Sequence, residues 1–345
     1  MTRETFGEDL ARPLTIGSVT VDPPLVLGPM AGTTERVYRL LCRRGGAGLV
    51  CSEMVSINAI VEGSDRTLRM LRTFEGEHPV SVQLFGSEPA IMREAVPAAV
   101  EAGADIIDIN MGCSVPKVRR NDAGVALMAE PDRAVALTAA AVEASTVPVT
   151  VKIRAGLTLR DHTYLETARR MQDVGAAAIA IHWRAACQGF GGTPGWGSIA
   201  KAASALDIPV IGSGDVVRAE EAPLMMRHTG CDAVMIARGA WGRPWFFGQA
   251  AAALRGEPIP PDPDPAERLG IALLHAQMLR LDHDEHIALH QMRTQLHYYV
   301  RGLPEARRFR SGANRLTTLD ELRSLVEEYL AHLKSVEQQE ARAGL

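Results

Sequence analysis

The chain has 345 residues, of which 46% are hydrophobic, and its 37 Lys and Arg against 41 Asp and Glu give a formal net charge of −4. This length suits one large domain with an appendage, and the hydrophobic fraction is ample for a large core. The slight negative charge excludes a protein that is basic over its whole surface, so any contact with nucleic acid must come from a local basic face.

The five cysteines are scattered, without the paired spacing of a zinc site or of a disulfide framework. The first ten residues are polar, so no signal peptide is expected, and no apolar run approaches the ~20 residues that a membrane span needs. The chain is therefore expected to be cytoplasmic, with reduced cysteines, no metal and no membrane partner. The oligomeric state stays open, and a monomer is compatible with the sequence.

A β/α rhythm begins after a small hairpin, which is predicted for residues 14–21. Apolar runs of strand length follow at 25–27, 48–51, 80–84, 106–109, 149–153, 177–181, 209–211 and 233–236. Ala-rich segments with helical spacing separate most of them, at 91–102, 132–144, 164–174 and 219–228. Glycine commonly closes these helices, as at Gly103, Gly175 and Gly230.

Eight strands alternating with helices over roughly 210 residues predict an α/β fold, a (β/α)8 TIM barrel. A doubly wound sheet is the structural alternative. That fold normally carries a GxGxxG fingerprint after its first strand, and residues 28–32 read Gly-Pro-Met-Ala-Gly instead.

The pattern changes after residue 247. Residues 256–265 form a stiff, proline-rich segment, and helical patterns without strand signals follow at 266–281, 283–301 and 319–339. We therefore expect three parts: a barrel over 1–250, a linker over 251–265 and a small C-terminal helical bundle over 266–345.

The residues that follow the predicted strands, at the end where barrels carry their catalytic groups, form a set that is polar at nearly every strand. They are Pro29, Met30 and Ala31, Glu53, Gln83, Asn110 with Cys113, Lys152 with Arg154, His182 with Arg184, Ser213, Gly214 and Asp215, and Ala237, Arg238 and Gly239. A purely structural barrel needs no such set. In the turn after the fourth strand, Asn110 can donate and accept hydrogen bonds and Cys113 can give or take a proton.

The last two strand ends indicate a phosphate. Gly214 and Gly239 stand where backbone N–H groups approach a phosphate in many barrels, although tight turns alone also explain them. Lys152 lies on the opposite side, and an ammonium near the pyrimidine edge of a flavin stabilises its reduced anion. With Gln83 able to bond a ring amide, the set favours flavin mononucleotide (FMN) over a sugar phosphate.

Several segments together resemble the tRNA-dihydrouridine synthases, with the bacterial B-type nearest. They are Gly-Pro-Met-Ala-Gly (28–32), Ser-Glu-Met (52–54), Asp-Ile-Asn-Met-Gly-Cys (108–113), Val-Lys-Ile-Arg (151–154), Gly-Asp (214–215) and Ala-Arg-Gly-Ala-Trp-Gly-Arg-Pro-Trp (237–245). The resemblance runs from about residue 14 to 247 and resumes at 297–306, His-Tyr-Tyr-Val-Arg-Gly-Leu-Pro-Glu-Ala.

The resemblance implies an FMN barrel that reduces the C5–C6 bond of selected uridines in tRNA, with NADPH as reductant. The FMN contacts it implies are Pro29, Met30, Ala31, Gln83, Lys152, Ser213, Gly214, Asp215, Ala237 and Arg238, with His182 beside the flavin. Hydride would pass from flavin N5 to uracil C6, Cys113 would protonate C5 from the opposite face, and Asn110 would orient the uracil. The alternative for Cys113 is a small buried hydrophobe.

The sequence departs from the family in two places. Residues 113–117 read Cys-Ser-Val-Pro-Lys, with the proline displaced from its usual place directly after the cysteine. Residues 182–184 read His-Trp-Arg, where the family usually has His-Gly-Arg. Trp183 either stacks on a base or the flavin, or fills part of the pocket; the sequence leaves both open.

A base inside folded tRNA must swing out to be reduced, so positive charge is expected around the barrel mouth and on the helical domain. Between residues 293 and 315 there are six arginines and a single acidic residue, Glu305. A solvated helix face is the alternative. The residues expected to contact RNA are Lys117, Arg119, Arg120, Arg293, Tyr298, Arg301, Arg307, Arg308 and Arg310.

Other functions stay open at this point. An FMN barrel acting on a free pyrimidine, in the manner of dihydroorotate dehydrogenase, would have the same flavin site but no use for the basic helical tail. A catalytically silent tRNA-binding relative would keep the tail and lose the flavin. A flavin-free sugar-phosphate isomerase explains neither Cys113 nor the tail.

Overall fold

The computed structural model describes residues 10–189, 191–192 and 195–343. Residues 1–9, most of the polar start in which no signal sequence was expected, lie outside this part. The described residues form two compact units, one within the ranges 1–240 and 245–260 and one within the ranges 241–244 and 261–345.

The strands of the first unit pair into a hairpin and a barrel. They are β1 (Leu14–Ile16), β2 (Val19–Val21), β3 (Leu25–Leu27), β4 (Leu49–Cys51), β5 (Val55–Ser56), β6 (Val80–Phe85), β7 (Ile106–Met111), β8 (Val149–Arg154), β9 (Ala178–His182), β10 (Val210–Ser213) and β11 (Ala233–Ile236). Strands β1 and β2 pair antiparallel, as predicted for the hairpin.

The main sheet closes on itself. Its strands run in the order β4-β3-β11-β10-β9-β8-β7-β6, all parallel, and a further pairing of β4 with β6 at Val50 and Val80 completes the ring. The short β5 adds to β6 beyond this pairing. The prediction of an eight-stranded parallel barrel is therefore confirmed.

Helices surround the barrel. They are α1 (Arg36–Arg44), α2 (Ile57–Val61), α3 (Asp65–Met70), α4 (Pro89–Glu101), α5 (Pro116–Arg119), α6 (Pro131–Ala144), α7 (Thr163–Asp173), α8 (Gly197–Ala205), α9 (Glu221–Thr229) and α10 (Phe246–Leu254). The predicted boundary between residues 250 and 251 falls inside α10. Gly175, which follows α7, has a φ of +102°, a backbone conformation that an L side chain rarely adopts.

Alternation along the strands divides the core into two layers. In β7, Ile107, Ile109 and Met111 pack with the surrounding helices. Ile106 instead packs inside the barrel, with Ile16 of the hairpin and other apolar side chains. Because successive side chains of a strand point to opposite faces, the polar residues at positions 108 and 110 share the inner face with Ile106. The barrel interior is thus apolar at the hairpin end and polar at the carboxyl ends of the strands.

The second unit is helical. Its helices are α11 (Pro265–Leu279), α12 (Glu285–Tyr299), α13 (Ala306–Ala313) and α14 (Leu319–Ala343). Helix α11 begins at a capping box, in which the Asp264 side chain accepts from the Glu267 N–H and the Glu267 side chain accepts from the Asp264 N–H. The sequence predicted three of these helices and missed the short α13. In the described part of the chain, no helix has both the length and the apolar character needed to cross a membrane.

Candidate active site at the carboxyl ends of the barrel strands

Five residues predicted from the strand ends share the inner face of the barrel. Register places Asn110 opposite Lys152 and His182 opposite Ser213. Gln83 lies opposite Asp108, two residues before Asn110 on β7. Because directly paired residues point to the same face of a sheet, these side chains converge in the polar half of the barrel.

The turn after β7 holds Cys113 at the end of the strand. The Oδ1 atom of Asn110 accepts hydrogen bonds from the backbone N–H of Gly112 at 3.2 Å and of Cys113 at 2.9 Å. The Cys113 carbonyl accepts from the Val125 N–H at 2.9 Å. Gly124 has a φ of +62°, and a Cβ there would lie 2.6 Å from the Cys113 carbonyl oxygen. The thiol is therefore carried by a turn that is hydrogen-bonded on both sides.

A chain of buried polar side chains lies behind this turn. Asn110 Nδ2 donates to Gln83 Oε1 at 2.7 Å, and Gln83 Nε2 donates to Asp108 Oδ2 at 2.6 Å. The Thr150 hydroxyl donates to the other carboxylate oxygen, Asp108 Oδ1, at 2.7 Å. Burial raises the pKa of Asp108 to about 6, while these hydrogen bonds and the Lys152 charge favour the carboxylate. At pH 7 Asp108 is therefore mostly ionised.

Lys152 supplies positive charge to the same cavity. Its side chain is partly buried, and loss of solvation lowers its pKa to about 8, against the opposing effect of Asp108. The ammonium form therefore still predominates at pH 7. This is the charge expected beside the pyrimidine edge of a flavin.

His182 is a neutral donor. Burial, followed by the charges of Lys152, Arg154, Arg184 and Arg238, lowers its pKa to about 2. Its Nδ1 lies 3.2 Å from the backbone N of Arg184, which donates to it. The neutral ring therefore carries its proton on Nε2, which is left to donate.

Trp183 packs beside the end of β10. It is only 6% exposed and belongs to the apolar layer between strands and helices. Its Nε1 donates to Asp215 Oδ2 at 3.1 Å, and the Arg184 guanidinium carbon lies 4.2 Å from its ring centroid. A Cβ on Gly214, whose φ is +123°, would lie 2.5 Å from Trp183 Cδ1. These are the contacts of a packing residue rather than of a ring that lies open to a nucleobase.

Asp215 lies between two guanidinium groups after β10. Arg184 Nη2 is 2.7 Å from Asp215 Oδ2, and Arg238 Nη2 is 2.9 Å from Asp215 Oδ1. Arg184 Nη1 is buried and has no hydrogen-bond partner among the described residues. One carboxylate against two guanidiniums leaves net positive charge at the carboxyl ends of β10 and β11. This surrounding fits a phosphate group.

The glycines of these two loops also have packing reasons. Gly214 faces Trp183, and a Cβ on Gly239 would collide with the carbonyl oxygen of Val216. Ala237, between the end of β11 and Arg238, is partly buried. These close contacts therefore explain the glycines whether or not a phosphate binds there.

The loop after β3 carries Pro29, Met30 and Ala31. The Met30 N–H donates to Thr34 Oγ1 at 3.0 Å, and the Met30 carbonyl accepts from the Thr34 N–H at 3.0 Å. Ala31 is exposed. Since the Met30 N–H already has an acceptor inside the loop, a ligand would meet mainly the partly exposed Pro29 and Met30 side chains here.

The basic residues after the cysteine turn are free of the core. Lys117 and Arg119 lie on the one-turn helix α5 and Arg120 directly follows it, all three exposed, while Val118 between them is buried. The turn therefore presents positive charge to solvent a few residues from Cys113.

The residues of the helical unit that were expected to contact RNA divide into two groups. Arg293 donates to the Leu316 carbonyl through Nε at 3.1 Å and Nη2 at 2.7 Å, so its guanidinium stabilises the helical unit itself. The ring of Tyr298 lies 4.7 Å from that of Trp241. By contrast, the side chains of Arg301, Arg307 and Arg308 are exposed, and that of Arg310 is partly buried.

Asp108 and Thr150 belong to the site but were not among the residues predicted from the sequence. A signal existed for Asp108, because it is a carboxylate inside an otherwise apolar strand, Ile-Ile-Asp-Ile. Thr150 had none, since threonine is an ordinary strand residue.

Comparison with known proteins identifies the family of the chain. Residues 26–336 match the family model "Dihydrouridine synthase (Dus)". The tRNA-dihydrouridine synthase B of Xanthomonas campestris is 38% identical over 91% of this chain and 95% of its own length, and that of Pseudomonas aeruginosa 39% identical over 92% and 95%.

Solved structures are similar in fold alone. The 6-hydroxypseudooxynicotine amine oxidase of Pseudomonas geniculata has a TM-score of 0.54 at 16% identity, and the match covers 72% of this chain and 50% of that one. An old yellow enzyme homologue of Zymomonas mobilis has a TM-score of 0.52 at 14% identity, covering 69% and 90%. The family match and the two relatives show that the chain belongs to the dihydrouridine synthase family.

Proposed function

We propose that this chain reduces the C5–C6 bond of specific uridines in cytoplasmic tRNA to 5,6-dihydrouridine, with FMN as cofactor and NADPH as reductant. The observation that carries the proposal is the convergence of Gln83, Asn110, Lys152 and His182 in the polar half of the barrel, beside the turn that bears Cys113. Membership of the family supports the reaction, and the names of the close relatives support tRNA as the substrate.

The residues present fit FMN. Lys152 and Gln83 would hold the pyrimidine edge of the ring, and the His182 Nε2–H is available as a further donor. The phosphate would lie at Ser213, Gly214 and Asp215 and at Ala237 and Arg238, where the structure has net positive charge. Bound there and reduced by NADPH, FMN would supply from its N5 the hydride that C6 of the uracil receives.

Cys113 would deliver the proton to C5 of the base. The thiol is a donor, and the Asn110 bonds to the turn fix the backbone that carries it. Arg154 donates to the Gly112 carbonyl at 2.8 Å, which places its guanidinium beside the turn that carries the thiol.

The substrate base reaches this depth only after leaving its stack. Lys117, Arg119 and Arg120 are exposed next to the cysteine turn and would bind phosphates that flank the extruded uridine. The exposed Arg301, Arg307 and Arg308 of the helical unit are proposed to bind the tRNA backbone. Arg293 and Tyr298, both engaged inside that unit, are proposed to support this surface.

The test begins with the visible spectrum of the purified protein. We expect a bound-flavin spectrum that bleaches with NADPH in the absence of oxygen and returns when unmodified tRNA is added. Recovery with a free pyrimidine but not with tRNA would favour the dihydroorotate dehydrogenase-like alternative. A protein that neither contains nor takes up FMN would overturn the redox proposal.

A matched pair of cysteine variants tests the proton donor. Cys113→Ala should leave bleaching by NADPH nearly unchanged and abolish recovery with tRNA, because only the second step needs the thiol. Cys187→Ala, which removes an exposed cysteine, is the control and should behave as wild type. Wild-type recovery in Cys113→Ala would refute the assigned role.

A further inference from the structure

We propose that Asp108 is a positioning residue that sets the direction of the hydrogen-bond chain Asp108–Gln83–Asn110 and thereby holds the Cys113 turn in its reactive conformation. The inference rests on the proposed function for its catalytic consequence. Its geometric core, one carboxylate determining which way two amides point, stands on the hydrogen bonds alone.

Every bond in the chain points toward Asp108. An ionised carboxylate can only accept, so Gln83 must turn its Nε2 toward Asp108 Oδ2. Gln83 Oε1 then faces Asn110 and can only accept, so Asn110 must present Nδ2 to it. The Asn110 Oδ1 is left to accept the two N–H groups of Gly112 and Cys113. Reversing Gln83 would place acceptor against acceptor at Asp108, and reversing Asn110 would place donor against donor at the turn.

Burial makes this constraint strong. Asp108 is 3% exposed, Gln83 1% and Asn110 7%, so water cannot readily replace a lost partner. The second N–H of Asn110 lies near the weak acceptor Met54 Sδ, at a Nδ2–Sδ distance of 4.0 Å. With Oδ1 occupied twice, Asn110 has a donor rather than an acceptor to offer a substrate. Asp108 therefore also determines that Asn110 meets a carbonyl of the base.

Two variants with the same branching at Cγ separate this role from the charge of Asp108. Asp108→Asn and Asp108→Leu both remove the carboxylate that faces Lys152. In Asp108→Asn, Oδ1 can still accept from Gln83 while Nδ2 donates to the Thr150 hydroxyl, which is able to accept. In Asp108→Leu, Gln83 Nε2 loses its acceptor and the direction of the chain is no longer set.

The two half-reactions are measured separately on the FMN-loaded enzyme. Reduction by NADPH should change alike in both variants, because both lose the same charge. Reoxidation by tRNA should stay within about threefold of wild type in Asp108→Asn and fall at least about tenfold in Asp108→Leu. Equal impairment of reoxidation in the two variants would assign the effect to charge. Wild-type reoxidation in Asp108→Leu would remove the role altogether.

If Asp108→Leu does not fold, a second pair of variants, Thr150→Val and Asp108→Asn, tests the proposal. Thr150→Val leaves Asp108 as an obligate acceptor, and Asp108→Asn keeps Thr150 as its anchor, so each alone should retain reoxidation. Together they leave the carboxamide at position 108 free to turn, and reoxidation should fall by more than the product of the two single effects. A double variant that shows only that product would overturn the proposal.

A measurement that needs neither flavin nor tRNA separates this inference from the proposed function. Alkylation of Cys113 by iodoacetamide, measured by mass spectrometry relative to the exposed Cys187, reports the conformation of the turn. The ratio should be unchanged in Asp108→Asn and shift at least about threefold in Asp108→Leu. A shifted ratio in a protein without dihydrouridine activity would preserve the inference and count against the function. An unchanged ratio in Asp108→Leu would count against the inference.

Discussion

Trp183 and Gly214 are packed so closely that substitutions at the two positions should interact. In Gly214→Ala the backbone keeps a φ of +123°, which strains an alanine by about 1–3 kcal/mol. The new Cβ would also lie 2.5 Å from Trp183 Cδ1 and 2.8 Å from its Nε1, and overpacking of this kind costs about 1–3 kcal/mol more. Trp183→Ala alone should cost about 3–5 kcal/mol, because it leaves a cavity where a buried indole was.

The double variant should be more stable than the sum of these losses predicts. Removing the indole abolishes the overlap and leaves only the backbone strain, so the coupling energy should equal the overpacking cost, about 1–3 kcal/mol. Gly63→Ala provides the control: Gly63 has a φ of +70°, but a Cβ added there would meet no atom within 4 Å, so the variant carries strain without overlap. Its effect should simply add to that of Trp183→Ala.

The free energies of unfolding can be measured by urea denaturation of the four proteins of the cycle, followed by far-UV circular dichroism at one temperature. Equal slopes of the unfolding free energy against urea would show that the compared transitions expose the same surface. Additivity of Gly214→Ala and Trp183→Ala to within about 0.5 kcal/mol would refute the packing account of Trp183. In that case Trp183 would again be a candidate for contact with a ligand.

Three further predictions concern charge. Because the pKa of Lys152 is lowered to about 8 in the folded protein, the unfolded chain keeps above pH 8 a proton that the folded chain has lost. The free energy of unfolding of wild type, measured with urea, should therefore rise relative to that of Lys152→Met between pH 8 and 10. Parallel curves for the two proteins would contradict the lowered pKa. Arg39 and Glu77 form a buried ion pair with an Nε–Oε2 distance of 2.9 Å, so Arg39→Met should lower the free energy of unfolding by about 3–5 kcal/mol at pH 8. Part of this loss should be recovered as pH falls, because the unpaired Glu77 carboxyl, whose pKa burial raises, gains a proton. A loss that does not depend on pH would argue against this. Substituting Arg307 and Arg308 by Gln should weaken tRNA binding and flatten its dependence on salt concentration, whereas an unchanged slope would place the tRNA elsewhere.

The barrel could be predicted because its signals are local. Each strand is a short apolar run, each intervening segment has helical spacing, and a glycine such as Gly175 ends a helix where only a positive φ can turn the chain. Helix α13 escaped prediction for the same reason, since eight residues rich in arginine give too short a pattern to recognise. The polar residues at strand ends were also legible, because all parallel strands of a barrel end at one mouth.

The roles of individual side chains depended on which atoms meet in space. Trp183 looked like an obstacle or a stacking surface in the sequence, yet it fills the space beside Gly214, a residue of a different loop. In the sequence, Asp108 is a single carboxylate in an apolar strand. In the structure, Gln83 of β6 and Thr150 of β8 donate hydrogen bonds to it, which reveals its role. Side-chain period and strand ends are properties of the chain itself, so the sequence alone determined the barrel and the set of candidate residues. The direction of a hydrogen-bond chain and the overlap of two side chains depend on register between distant segments, and only the tertiary structure decided them.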